Sequence, residues 1–257
     1  MSTYENLYGR RVKVESSNPS NLKEGEVWYN STLGQLKGYV LSPASISSGG
    51  NLGTARTQAG GAGTQTAGLI YGGETPSITG ATEEYDGTSW TGGGTCPATK
   101  TDMHASGTQT AGLWGGGSPS SSGSFEYDGS SWTAGGDMTF AGRDFSGGCV
   151  GIQTAALQIG GFISPGNLSS TMQEYDGSSW TNIPQTFPTA PNTAGMASCG
   201  TQTAALSAGG PSSQTVSLSW DGSSWTSTPS LNIRASAAVH RGTSTDSLYM
   251  TGHPANP

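Results

Sequence analysis

A short phrase recurs along this chain and limits what it can become. Glu-Tyr-Asp-Gly-Thr-Ser-Trp-Thr spans Glu84 to Thr91, and close copies run from Glu126 to Thr133 and from Glu174 to Thr181. A variant, Trp-Asp-Gly-Ser-Ser-Trp-Thr, spans Trp220 to Thr226. In each copy two aromatics stand five residues apart: Tyr85 and Trp90, Tyr127 and Trp132, Tyr175 and Trp180, Trp220 and Trp225. Asp-Gly between them is a strong hairpin signal, because Gly takes the positive φ that such turns need. The aromatics then stand on the two flanking strands and can pack on one sheet face.

A second element lies between these phrases. An apolar stretch runs into a glycine doublet at Gly72-Gly73, Gly115-Gly116, Gly160-Gly161 and Gly209-Gly210, and a worn fifth copy holds Leu248, Tyr249, Met250 and Gly252. The glycines that open these stretches are Gly63, Gly107, Gly151, Gly200 and Gly242, spaced by 44, 44, 49 and 42 residues. A third element, headed by Arg56, Lys100, Arg143, Asn192 or Arg234, leads into a run of small residues. Each period of about 45 residues thus reads as four short strands, which is the arithmetic of a β-propeller blade.

Composition gains its meaning from this repeat. Gly (42), Ser (38) and Thr (32) make up 44% of the 257 residues, which without a repeat would indicate a low-complexity chain. Net charge is −7 and the ten Lys and Arg are scattered, so no footprint for nucleic acid is expected. No apolar run is long enough to span a bilayer as a helix, and no secretory signal is visible, so no membrane insertion is expected. Cys96, Cys149 and Cys199 form no even framework and are read as small buried apolar residues.

The search for chemistry returns no catalytic constellation, no metal site and no cofactor motif. Asp86, Asp128, Asp176 and Asp221 are read as turn formers rather than ligands. The stretch Gly92-Gly93-Gly94 lacks the Lys and helix of a phosphate loop. Gln65, Gln109, Gln153 and Gln202 recur at the turn between the first two strands. They are either a polar ring that contacts a partner or glycan, or a turn preference propagated by duplication. The loops that vary between repeats, 74–81, 117–124, 162–171 and 211–216, fall on one rim and are candidates for recognition.

The order basic residue, apolar stretch, Gly-Gly, Tyr, Trp resembles the Kelch repeat over about residues 50–252, and fifteen residues separate Arg56 from Gly72 as in that family. The resemblance implies an all-β, Kelch-like β-propeller of five four-stranded blades. The visible fifth copy holds only its first two strands, so the expected closure uses N-terminal strands at 26–41. Val27 to Leu36 reads as strand–turn–strand and would pair with the C-terminal half-blade, leaving Ser42 to Leu52 as an enlarged loop; the rival is a separate N-terminal arm with an incomplete or otherwise closed ring. The expected division is an N-terminal arm over 1–25 and a propeller over 26–257, with the blades at about 50–257.

The stretch Glu24-Gly25-Glu26-Val27-Trp28-Tyr29-Asn30 resembles a segment of tail-fibre and other virion proteins of bacteriophages, especially marine ones, and so do Ser/Thr/Gly-rich repeats of the Tyr-Asp-Gly-Ser-Ser-Trp-Thr type. That resemblance implies a non-enzymatic virion protein: a tail-associated fibre, spike or adaptor, with a head-decoration protein as the nearest rival. It implies attachment to other virion proteins through the N-terminal segment, with Trp28 and Tyr29 as attachment residues. Host-surface glycan or protein is a further expected partner, and a homo-oligomer an expected state. The rival of another class is a carbohydrate-binding or galactose-oxidase-like propeller enzyme.

Overall fold

The computed structural model describes residues 13–19, 26–38, 48–163, 167–188, 196–209, 215–232, 235–236, 239–250 and 253–254. Its regular elements there are all strands. The chain divides into two compact units, Met1–Ser48 and Gly49–Pro257.

In the first unit the strand–turn–strand expected from the sequence forms as Val27–Asn30 and Gln35–Gly38, joined by a turn over 31–34. The Leu33 N–H donates to Asn30 Oδ1 at 2.9 Å inside that turn. A parallel strand, Lys13–Glu15, pairs with the other edge of Val27–Asn30. The expected pairing of these strands with the C-terminal half-blade is not among the ladders of the described residues. Both edges of Val27–Asn30 are already occupied within its own sheet, so the strands expected at 26–41 to close a ring belong with the first unit.

The second unit is built from repeated antiparallel sheets. Blade one consists of Gly60–Thr64, Ala67–Tyr71, Thr82–Tyr85 and Trp90–Gly92. Blade two consists of His104–Thr108, Ala111–Gly115, Ser124–Tyr127 and Trp132–Ala134. Blade three is longer, with Gly142–Ile152, Ala155–Ile163, Asn167–Tyr175 and Trp180–Thr186. Blade four consists of Met196–Thr201, Ala204–Gly209, Ser217–Trp220 and Trp225–Ser227. In each of the four sheets the strands pair in chain order. The fifth blade is represented by a hairpin in which Val239–Gly242 pairs with Ser247–Met250, and Ala235–Ser236 with His253–Pro254. The two ladders keep step: Ser236 faces His253, and three residues further on Val239 faces Met250.

The inner hairpins share one register five times over. Ala62, Ser106, Val150, Cys199 and Arg241 each stand opposite a leucine, respectively Leu69, Leu113, Leu157, Leu206 and Leu248. The residue after each is a glycine with φ between +95° and +122°: Gly63, Gly107, Gly151, Gly200 and Gly242. A Cβ on any of the five would fall 2.1–2.3 Å from the carbonyl oxygen across the turn. Only glycine fits there, which is why the sequence keeps it in all five copies.

The hydrophobic core lies between blades. Tyr127 and Trp132 of blade two pack on Leu69 and Tyr71 of blade one. Tyr175 and Trp180 of blade three pack with Leu113 of blade two, and Trp220 of blade four packs with Leu157 and Met172 of blade three. The paired aromatics face each other across their hairpins as expected, with ring centroids 4.9 Å apart in the first three blades and 5.4 Å in the fourth.

Two glycine expectations need adjustment, and a third lies partly outside the described residues. In blade two the positive-φ pair is Gly116 and Gly117; Gly115 is the last strand residue, paired with His104. The run of three glycines hides the frame by one position. In blade three Gly160 and Gly161 do not end the strand; they sit at a register shift inside it, after which pairing resumes. In blade four Gly209 ends the strand and Gly210 lies outside the described residues.

The segment expected as an enlarged loop is not loose at its described end. Gly50 lies so close to the Thr88–Ser89 turn that a Cβ would be 2.6 Å from the Thr88 carbonyl oxygen. Gly94 and Gly136 stand in the same relation to Ser130 and Ser178 in the next two blades. The Trp90 indole N–H also donates to the Gly50 carbonyl at 3.1 Å. The chain therefore enters blade one along the path by which it enters blades two and three.

His104 heads the inner strand of blade two, where burial lowers its pKa to about 4. A histidine that stays neutral when folded contributes stability that is complete above its unfolded pKa, near 6.5, and is lost as pH falls from there toward 4. The turn aspartates described below act in a lower window, from the unfolded carboxylate value near 4 down to about 2. Stability is expected to decline in two separable stages on acidification. Denaturant midpoints taken across pH should show the first stage, worth roughly 3 kcal/mol, vanish in His104→Gln while the second persists.

Candidate functional site

The repeated polar residues have structural employment. In the turn after Tyr85, Asp86 Oδ1 accepts from the Thr88 N–H (2.8 Å), the Thr88 hydroxyl (2.7 Å) and the Ser89 N–H (2.8 Å), while Oδ2 accepts from the Ser89 hydroxyl (3.2 Å). Asp128, Asp176 and Asp221 repeat the arrangement with their own serine pairs. Donors from the turn backbone and hydroxyls hold the carboxyls of Asp128, Asp176 and Asp221 at about 2, and lower that of Asp86 as well. The glycines after them have φ of 91–96°, as the Asp-Gly signal requires.

The glutamine set divides in the same way. The Gln109 amide donates to Gly68 O (3.1 Å) and Tyr85 O (2.7 Å) of blade one. Gln153 donates to Gly112 O (3.1 Å) and Tyr127 O (2.9 Å) of blade two, and Gln202 to Ala156 O (3.2 Å) and Tyr175 O (3.1 Å) of blade three. These side chains are clasps from one blade to the blade before it. Gln65 is exposed, and Ser244 stands at the corresponding place in the fifth hairpin. A second tie joins the same neighbours: the Tyr127 hydroxyl donates to Glu84 Oε1 (2.5 Å) and the Tyr175 hydroxyl to Glu126 Oε1 (2.7 Å). Sequence reasoning missed both sets of ties, although their strict recurrence beside the aromatics was the available signal. Gln153→Ala is expected to lower stability by about 1–3 kcal/mol, with Gln65→Ala near neutral, both read from urea midpoints.

Arg56, the basic residue that opens blade one, is also absorbed by the fold. Its guanidinium donates to Gly72 O (3.3 Å) and Ala81 O (2.8 Å) and forms a buried ion pair with Glu83. The Glu83 carboxylate accepts in addition from the N–H groups of Gly53 (2.6 Å) and Thr54 (3.3 Å). Lys100, its counterpart in blade two, donates to Pro119 O at 2.7 Å. Side-chain positions of Arg143, Asn192 and Arg234 lie outside the described residues.

The cysteines behave as packing groups. Burial raises the Cys96 thiol to about 12 and the Cys149 thiol to about 11, and raises that of Cys199 as well. All three are free. Thiols held so far above neutral pH carry little thiolate and are poor nucleophiles.

Among the described residues, two surfaces stand out that the fold does not consume. The first is a cavity of about 170 Å³ where the five inner strands converge. Its lining comes from all five blades and includes the register set Ala62, Ser106, Val150, Cys199 and Arg241. The second is one face of the N-terminal sheet. Val14, Tyr29 and Leu36 are cross-strand partners, and all three are exposed, as is Val27 two residues before Tyr29. Of the two residues expected to serve attachment, Tyr29 is on this exposed face, whereas Trp28 points to the opposite face and is buried. Alternation along a strand requires that division. Of the varying rim loops, Glu74–Thr75 and Ser77–Ile78 form a small hairpin and Thr101 bridges to Ser118, while 164–166 and 211–214 lie outside the described residues.

No family model and no curated protein matches the chain. Among solved structures it is similar to that of YjhT, a Kelch-like β-propeller, with a TM-score of 0.64, 14% sequence identity and 78% of each chain covered. At that identity the likeness speaks for the fold alone. Together with five inner hairpins in one register around a common cavity, it makes the chain an all-β, five-bladed β-propeller.

Proposed function

We propose that the protein is a non-enzymatic structural and interaction component of a bacteriophage particle: a tail-associated fibre, spike or adaptor whose N-terminal unit attaches to other virion proteins. The observation that carries this reading is the occupation of the recurrent polar side chains. The aspartates close turns, Gln109, Gln153 and Gln202 tie blades, and Glu84 and Glu126 accept from tyrosines. Such a ring works through its exterior rather than through a reacting group. The uncharged row Val14–Tyr29–Leu36 supports an attachment role for the N-terminal sheet, since contiguous exposed apolar side chains mark contact surfaces. The varying rim loops are the places for contact with a host-surface glycan or protein.

Immunogold electron microscopy of purified particles tests the assignment. Label on the tail is the expected result, and label on the head would reassign the protein to decoration. Absence of the protein from purified particles, by label and by mass spectrometry, would overturn the reading.

A further inference from the structure

We infer that the serine or threonine pair of each outer turn protects the Asp-Gly bond beside it from isomerisation to isoaspartate. The four bonds are Asp86-Gly87, Asp128-Gly129, Asp176-Gly177 and Asp221-Gly222, followed by Thr88-Ser89, Ser130-Ser131, Ser178-Ser179 and Ser223-Ser224. Asp-Gly is the dipeptide most open to this reaction, because glycine places no side chain beside its nitrogen. At Asp128 the Gly129 nitrogen would bond to Cγ, and one Cγ–Oδ bond would break. That oxygen leaves as water with the amide proton and the carboxyl proton. Water then adds to the main-chain carbonyl carbon of the five-membered ring so formed, and the bond from that carbon to the Gly129 nitrogen breaks. The chain now runs through the side-chain carboxyl. Water is the only other reactant, and it has access, since all four aspartates are exposed.

The turn opposes each requirement of that chemistry. Attack needs a protonated carboxyl, because an ionised one has no good leaving group. Hydrogen bonds accepted by a carboxylate favour its charged form. The carboxyls of Asp128, Asp176 and Asp221 are held at about 2 against an ordinary value near 4, so at neutral pH each is protonated roughly a hundredfold less often. Attack also needs Cγ turned toward the glycine nitrogen. Asp128 Oδ1 accepts from the Ser130 N–H (2.8 Å), the Ser130 hydroxyl (2.8 Å) and the Ser131 N–H (2.7 Å), and Oδ2 accepts from the Ser131 hydroxyl (3.1 Å). The carboxyl is thus drawn past Gly129 to the two residues beyond it. The glycine is held as well: the Asp128 N–H donates to Ser131 O at 3.1 Å around it, and a Cβ on Gly129 would lie 3.3 Å from Thr110. A hairpin turn needs only the positive φ of its glycine, so the hydroxyl pair exceeds what the turn requires.

The test ages the full chain at physiological temperature and neutral pH and follows isoaspartate at each of the four sites by peptide mass spectrometry. A parallel sample unfolded in guanidinium gives the rate without the turn. The folded chain is expected to react at least roughly tenfold more slowly at every site. Combining Ser130→Ala with Ser131→Ala removes two of the four donors and should raise the rate at Asp128 by roughly threefold or more. Asp86, Asp176 and Asp221 in the same molecule should keep their slow rates, which also shows that the ring is intact. Ser130→Thr, which copies Thr88 of blade one, should leave Asp128 slow. Equal rates in the folded and unfolded chain overturn the inference. So does an unchanged rate at Asp128 in the double variant. An equal rise at all four sites overturns it too, since the protection would then belong to folding in general and not to the pair.

Discussion

Gly107→Ala is expected to cost the propeller at least about 3 kcal/mol, enough to leave much of the chain unfolded if its total stability is in the usual range of about 5–15 kcal/mol. Gly107 has φ of +103°, and a Cβ there would lie 2.2 Å from the Ala111 carbonyl oxygen. The obstacle is backbone, so no side-chain rotation relieves it. The same geometry recurs at Gly63, Gly151, Gly200 and Gly242, so alanine at any of them should act alike. Gly92→Ala is the matched control: that glycine is exposed and has nothing within 4 Å of the added carbon. Its effect should stay within about 0.5 kcal/mol. Urea denaturation of the two variants side by side decides the matter. Equal midpoints would mean that the inner turns are not rigid elements of the ring.

Trp132→Ala is expected to destabilise by about 3–5 kcal/mol. Trp132 packs edge-on against Tyr71 of the preceding blade, with centroids 4.7 Å apart, and also contacts Trp114 and Tyr127. Its indole N–H donates to the buried Thr82 hydroxyl at 2.9 Å. Truncation therefore opens a cavity between two blades and removes a donor from Thr82. Trp132→Phe separates the two effects: most of the packing stays, and the lost hydrogen bond leaves about 1–3 kcal/mol of damage. Ser77→Ala, in an exposed rim strand, should change the melting temperature little. Comparable small shifts for Trp132→Ala and Ser77→Ala would contradict an inter-blade core.

The architecture was legible because its signals are local and repeated. Asp-Gly between two aromatics fixed the outer hairpins, and the recurrent glycines fixed the inner ones, since each reports a backbone geometry that few residues accept. The frame slipped only where the signal was redundant, at the three consecutive glycines of blade two. Ring closure was not legible in the same way. Val27 to Leu36 has the pattern of a hairpin and forms one, but pattern does not name the partner of an edge, and Lys13–Glu15 takes the edge in question. The clasps were half legible: Gln109, Gln153 and Gln202 stood out as a set, but a turn glutamine looks the same whether it meets solvent or a neighbouring carbonyl. The position of Arg241 was not legible either, because only the register shows it standing where the other blades place alanine, serine, valine or cysteine.

The direction of the clasps has a consequence for how the chain is made. Gln109, Gln153 and Gln202 each reach to carbonyls 24 to 46 residues earlier in the sequence, and Tyr127 and Tyr175 reach back to Glu84 and Glu126. Each tie therefore joins a new blade to one that has already left the ribosome. At the usual pace of synthesis a blade of this length emerges over a few seconds, ample time for hairpins that form in microseconds. The molecule can be assembled as a ratchet, one locked blade at a time from the N-terminal side. Near-identical repeats, prone to pair out of turn, are kept in order by the sequence in which they appear.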